Sequence, residues 1–389
     1  MSGTRTTKDS SVFKQCRFAS SPVFDRSLKA NLVAARCSIL ESDEQREAVW
    51  FVQCLSMHAG GLRWAASEIA PEFLTGDARE KWLATLCLDP ATNSELEIVL
   101  PKLRQLMADY IQQRGEDVAV TAIGRLIYDA LDYCFASRCL VLISGLPRLG
   151  KTWAAKKWVE RNPGRARYCE VPASGDELSF YIALARALGV TLESDPKVKK
   201  LRPRIENALQ QGGRTLVLDE AAALWPSSNY RQVSRPQRVS WVMSQINAGS
   251  SIALLVTPNF FASQNDYQEK SRWQSAQFYG RIEKYVSLPD TLPISDLEAV
   301  ARAWLPHGDR RSIETLAHYS NLSQAGLAAI EHAVKQAIYL AKQDGRERPD
   351  WADIQIVMKS GVMPGDTSLA AAIASAGAHR KAPANGSRR

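Results

Sequence analysis

Gly145, Leu146, Pro147, Arg148, Leu149, Gly150, Lys151 and Thr152 follow the pattern G-x-x-x-x-G-K-[ST], whose residue types suit a phosphate cradle. Glycines at the first and sixth positions let the backbone curl, so that several N–H groups and the positive end of a following helix converge on one anion. Lys151 is then placed to reach the β- and γ-phosphates, and the Thr152 hydroxyl takes one position on Mg²⁺. Further along, the apolar run Leu216, Val217, Leu218 ends in Asp219 and Glu220. There Asp219 would hold the metal through its water shell, leaving Glu220 to polarise the attacking water as general base. Either half alone could be a chance loop or an ordinary strand end. Both in this order, at strand ends, specify a nucleoside triphosphatase using ATP and Mg²⁺, and the intact acidic pair argues against binding without hydrolysis.

These groups need elements to position them. Residues 139–144 read as a buried parallel strand and 152–158 as the helix opening behind the loop. From residue 118 strands and helices alternate: helix 121–136, strand 166–171, helices 177–188 and 198–210, the Asp219 strand, helix 241–247, strand 251–257, helix 267–279 and strand 284–288. That alternation predicts an α/β fold, a three-layer P-loop core with helices on both faces of a parallel sheet. Beyond residue 289 helices are expected at 295–304, with Ser295 as N-cap and Glu298 as its capping-box partner, and at 311–319, 324–341 and 350–359, forming a C-terminal helical lid. The expected organisation is a disordered N-terminus (1–30), a helical N-terminal module (31–115), the ATPase core (116–290), the lid (291–360) and a disordered basic tail (361–389). Residues 62–86 admit a helix-turn-helix reading, against which generic helical packing is the simpler account.

The 389 residues are 45% hydrophobic and 23% charged, ordinary globular composition for two to three domains. Seven cysteines, odd in number and with no C-x-x-C pair, indicate neither a disulfide framework nor a zinc site. No apolar run approaches the roughly twenty residues that span a bilayer, so no membrane partner and a cytoplasmic location are expected. The net charge of +8 favours a polyanionic partner. Acidic residues gather in 38–100, which puts any nucleic-acid surface on the core.

With these features the sequence resembles the AAA+ ATPases and, more narrowly, the transposition ATPases of the phage Mu B, TniB-like and TnsC-like kind, over about residues 105–358. The phosphate loop followed by Ala154 and Ala155, the basic stretch 197–204 before the Asp219 strand, and the segments 252–259, 277–282 and 296–304 carry the likeness. The resemblance implies that Asn259 orients the attacking water, with Thr257 as its alternative if the strand ends earlier. It also implies that Arg281 is a finger reaching the γ-phosphate held by a neighbouring subunit, where the competing reading is a helix-end cation. The sequence departs from the family at Ala221 and Ala222 after the acidic pair, and at Ser323 and Gln324, where many members carry a lid arginine.

Two basic clusters could follow a phosphate backbone without reading bases: Lys197, Lys199, Lys200, Arg202 and Arg204, and Arg231, Arg235 and Arg238. A solvated basic face is the alternative for each, and the resemblance favours contact with double-stranded DNA. Trp225 and Tyr230 beside the second cluster could stack on bases or anchor the loop. The implied function is an ATP-dependent, largely non-sequence-specific DNA-binding ATPase that self-assembles into an oligomer or filament and selects targets for a transposase. Competing readings are a signalling or defence switch with a protein-binding N-terminal module, and a helicase-loader-like ATPase.

Overall fold

Three apolar strands run through the middle of the protein with every residue buried: β1 (Leu140–Ser144), β3 (Thr215–Asp219) and β4 (Ser251–Val256). Strands covered on both faces lose the alternation of a half-exposed sheet, which is why these segments read as continuous apolar runs. With β2 (Ala166–Glu170) and β5 (Ile282–Ser287) they form one sheet in the order β2-β3-β4-β1-β5. The β2–β3 and β3–β4 pairings are parallel. The edge strand β5 alternates between half-buried and exposed residues. The computed structural model describes residues 28–115, 120–226, 236–271, 273–323 and 325–360.

Among these residues the chain divides into two compact units. One takes in 28–115, Leu131–Leu142 and Lys156–Tyr285; the other takes in 120–130, Ile143–Ala155 and 286–360.

In the first unit five helices lead the chain: α1 (Ala30–Cys37), α2 (Asp43–Ser56), α3 (Gly61–Ile69), α4 (Asp77–Leu88) and α5 (Asn93–Gly115). Ser42 caps α2 by accepting from the Glu44 N–H at 3.2 Å, and Asp43 and Glu44 in the first turn suit the positive helix end. Seven residues separate α3 from α4, more than the three or four of a helix-turn-helix turn. These helices share one continuous apolar core with the sheet, running from Leu28 to Phe278. Because Leu28 and Ala30 are already buried, the expected disorder over 1–30 does not extend to them; 1–27 and the tail 361–389 lie outside the described residues.

The joint is specific. Trp50 of α2 lies with its ring 3.5 Å from the Arg214 guanidinium, just ahead of β3. Arg167 of β2 donates to the Trp50 carbonyl at 3.3 Å and to Gln53 Oε1 at 2.9 Å, and Arg165 pairs with Glu47 at 2.7 Å. All of these contacts fall at the amino ends of β2 and β3.

Helix α6 (Ala122–Ser137) precedes β1 and α7 (Lys151–Arg161) follows the phosphate loop. Between β2 and β3 come α8 (Glu177–Leu188) and α9 (Val198–Gln210), and before β4 comes α10 (Gln237–Asn247). The helix expected at 267–279 is instead two, α11 (Asn259–Ser271) and α12 (Ala276–Tyr279). Pro258 starts the first one early, and its last residue accepts from the Trp273 N–H at 3.2 Å, outside the helix.

The second unit ends in α13 (Ile294–Trp304), α14 (Arg310–Leu322), α15 (Leu327–Gln343) and α16 (Trp351–Ser360). Ser295 is not the cap of α13: the N-cap is Pro293, without a side-chain bond. Its first-turn acid Asp296 instead accepts from the Ala122 N–H and pairs with Arg125 at 3.9 Å. Asp309 caps α14, accepting from the Ser312 N–H at 2.9 Å. None of the described helices is long and apolar enough to cross a membrane.

Candidate functional site

The phosphate loop runs from the end of β1 into α7, and Gly145 is crowded by a neighbouring side chain while Gly150 is required by its backbone conformation. A Cβ on Gly145 would come within 2.9 Å of the Leu288 Cβ, and one on Gly150 within 2.9 Å of Leu327 Cδ1. Gly150 also has φ +84, and Arg148 holds φ +66, a left-handed backbone that a bulky residue adopts only when its surroundings impose it. Leu288 is itself fixed, its N–H donating to the Ser144 carbonyl at 2.8 Å. Lys151, 8% exposed, donates through Nζ to the carbonyls of Gly145 at 2.7 Å and Leu146 at 2.6 Å. Its charge is thus centred within the loop by backbone oxygens.

The loop also meets the C-terminal helices within the same unit. The Leu327 N–H, at the start of α15, donates to the Arg148 carbonyl at 3.3 Å. This backbone contact lies just past Ser323 and Gln324, the latter outside the described residues, and no residue type in the sequence signals it.

Asp219 ends β3 and is 3% exposed. Its Oδ1 accepts from the Glu220 N–H at 2.8 Å and its Oδ2 from the Tyr168 hydroxyl at 2.8 Å. Glu220, exposed, takes φ +51 and opens a short 3₁₀ turn, Ala221–Leu224. Burial, and then the Asp219 charge, push the Tyr168 hydroxyl far above the ordinary tyrosine range, so it stays a donor. Tyr168 escaped the sequence reading because only the strand order puts β2 beside β3: Glu170 pairs with Asp219, leaving Tyr168 diagonal to it on the same face.

β4 stops at Val256, so half-buried Thr257 is the first residue past the strand, while exposed Asn259 opens α11 rather than ending β4. Arg281, between α12 and β5, donates through Nε to Asn247 Oδ1 at 2.9 Å and through Nη1 to the Gln277 carbonyl. It spans the carboxyl ends of α10 and α12.

The first basic cluster lies on and beside α9. Lys197 pairs with Asp195 at 3.6 Å, Lys200 and Arg204 both with Glu193 at 3.4 and 3.5 Å, and Arg202 with Glu206 at 2.8 Å. Lys199 is exposed. Ion pairs at the surface are weak, so these cations can exchange partners at small cost.

The second cluster is different from the expectation. Arg238 is only 7% exposed and donates to four backbone carbonyls, those of Pro172, Ser174, Asp176 and Ala223, so it ties loops together and is not part of a phosphate-facing surface. Arg231 and Arg235 lie outside the described residues. Trp225 is 4% exposed, ringed by Phe260, Tyr267, Trp273 and Phe278 at centroid separations of 5.5–6.1 Å. That burial makes it the anchor of its loop, with no face left for a base.

The donors fit magnesium. Taken each within its own unit, the Thr152 hydroxyl at the start of α7 and the Asp219 carboxylate at the end of β3 are hard oxygens of the kind Mg²⁺ takes. Among the described residues no group of three or more His, Cys, Asp or Glu could hold a metal.

The sheet and loop are an AAA+ P-loop fold, and residues 136–260 match the AAA domain family. The class is thus an α/β P-loop fold with an AAA domain over residues 136–260. Among solved structures the chain is similar to the Aeropyrum pernix ORC2 protein, at 17% identity over 63% of this chain and 68% of that one, with a TM-score of 0.44. It is also similar to Cdc6p from Pyrobaculum aerophilum, at 14% identity over 61% and 65% with a TM-score of 0.43. The Holliday junction branch migration motor RuvB of Thermotoga maritima gives 11% identity over 61% and 67%, with a TM-score of 0.39. No curated protein matches the sequence.

Proposed function

We propose that the protein is an ATP-dependent DNA-binding AAA+ ATPase that assembles on duplex DNA with little sequence preference and selects targets for a transposase. The observation that carries the ATPase part is Lys151 centred in an intact phosphate loop, together with Asp219 and Glu220 at the carboxyl end of a buried strand. On nucleotide entry the Lys151 ammonium exchanges the Gly145 and Leu146 carbonyls for β- and γ-phosphate oxygens. Thr152 and Asp219 would hold Mg²⁺, which supplies neutralisation of the charge that develops on the phosphates. Glu220 accepts the proton of the attacking water, Asn259 or Thr257 orients that water, and Arg281 serves the nucleotide of an adjoining copy.

The exposed cations of the α9 cluster support the DNA part, since Lys and Arg contacts to phosphates give affinity without base readout. The transposase part rests on the sequence likeness across 105–358. The alternative, a signalling or defence switch whose nucleotide state gates exposure of a protein-binding N-terminal module, is disfavoured because the N-terminal helices share the core with the sheet. The test is retention on immobilised duplex. Retention only with Mg-ATP, lost when Lys197, Lys199 and Lys200 are all changed to Ala, supports the reading; retention indifferent to nucleotide opposes it.

A further inference from the structure

The Asp219 carboxylate accepts from the Glu220 N–H on Oδ1 and from the Tyr168 hydroxyl on Oδ2, each at 2.8 Å. The first donor comes from the backbone of a residue in left-handed conformation at φ +51. The second comes from a neighbouring strand, and pairing of Glu170 with Asp219 makes the diagonal reach from Tyr168 a consequence of the register. The tyrosine ring is itself steadied, with the Lys156 ammonium 4.9 Å from its centroid. Tyr168, Asp219 and Glu220 therefore form one chain of contacts running from β2 through the carboxylate to the backbone that aims the general base.

The geometry points to Tyr168 as a positioning residue: its hydroxyl locks the rotation of the Asp219 carboxylate that would hold Mg²⁺ and, through Oδ1, holds the turn that presents Glu220. This rests on the proposal that Asp219 is a metal-holding group. A hydroxyl suits the task because it orients a carboxylate without cancelling its charge, whereas a guanidinium or ammonium in its place would compete with the divalent cation. Without the hydroxyl, Oδ2 loses the donor that directs it from the β2 side, and the carboxylate is less well aligned for the Glu220 N–H.

Tyr168→Phe removes the hydroxyl and keeps the ring with its Lys156 contact. A fluorescent ATP analogue is bound to the full chain first in EDTA and then across a Mg²⁺ titration, with thermal melting to compare folding. The expected result is an EDTA affinity equal to wild type and a Mg²⁺ half-saturation raised about 10-fold, the lower end of the range for outer-shell partners of a metal site. In an Asp219→Ala background the same substitution should change nothing further. A wild-type Mg²⁺ half-saturation in Tyr168→Phe, or an undiminished effect in the Asp219→Ala background, overturns the assignment of Tyr168 alone. Wild-type protein whose nucleotide binding ignores Mg²⁺ overturns the metal-holding role of Asp219 and the Tyr168 assignment with it.

Discussion

The indole of Trp50 covers the guanidinium of Arg214 at 3.5 Å, joining α2 to the residue that leads into β3. Arg214 is 1% exposed, and burial holds its pKa well below the usual arginine range. A buried cation is costly unless something covers it, and here an aromatic face does so, with the Ala208 carbonyl accepting one hydrogen bond at 2.8 Å. The N-terminal helices are consequently packed against the amino ends of β2 and β3, and Asp219 lies at the other end of β3.

Trp50→Ala should therefore destabilise the whole first unit by about 3–5 kcal/mol, the usual cost of deleting a buried tryptophan, with the uncovered Arg214 adding to it. Urea unfolding followed by circular dichroism measures this. One cooperative transition shifted to lower urea is expected; an early separate transition of helical signal would mean that the N-terminal helices fold independently.

If Arg281 serves a neighbour's nucleotide, as proposed, Arg281→Ala should leave ATP affinity within about twofold of wild type and lower DNA-stimulated hydrolysis by about 10³-fold or more, on the order of an arginine finger's contribution. Steady-state phosphate release with and without duplex measures the effect. Normal stimulated hydrolysis would reduce Arg281 to a cation stabilising the ends of α10 and α12.

The two basic clusters should separate cleanly. Changing Lys197, Lys199 and Lys200 to Ala should leave the melting temperature nearly unchanged and lower the slope of log affinity for duplex against log salt by about three. Arg238→Ala should do the reverse, because four carbonyls lose their donor, each worth about 1–3 kcal/mol when buried. Equal salt slopes in both variants would contradict the assignment.

Alkaline pH should loosen the N-terminal helices. Burial pushes the Cys37 and Cys87 thiols from 9.0 up to about 12. A folded-state pKa raised above the unfolded value gives stability that is complete below pH 9 and fades as pH climbs towards 12. The urea midpoint should fall between pH 9 and 10.5, and iodoacetamide at pH 8.5 should spare both thiols until the chain unfolds. Rapid native-state alkylation of Cys87 would contradict this.

Much of the fold could be read from residues 139–144, 216–220 and 251–256 because strands buried on both faces leave an uninterrupted apolar signature. The phosphate loop was legible because its residue types and their spacing lie within eight consecutive positions. Helix starts were less so: Ser295 had the right chemistry for a cap, yet Asp296 was drawn into contact with Ala122 and Arg125. Arg238 looked like a phosphate ligand because a sequence gives charge without burial. Tyr168 and Leu327 act through positions fixed only by strand order and lid packing, which no local pattern encodes.

On the proposed function, nucleotide drives copies of this chain to assemble on duplex DNA. Sedimentation velocity of the full chain with a 60-base-pair duplex, Mg²⁺ and a non-hydrolysable ATP analogue tests it most directly. The account predicts a fast-moving complex of many copies per duplex, absent without nucleotide and absent in Lys151→Ala. Single copies on DNA with the analogue present, or complexes that form equally well without it, would contradict the account.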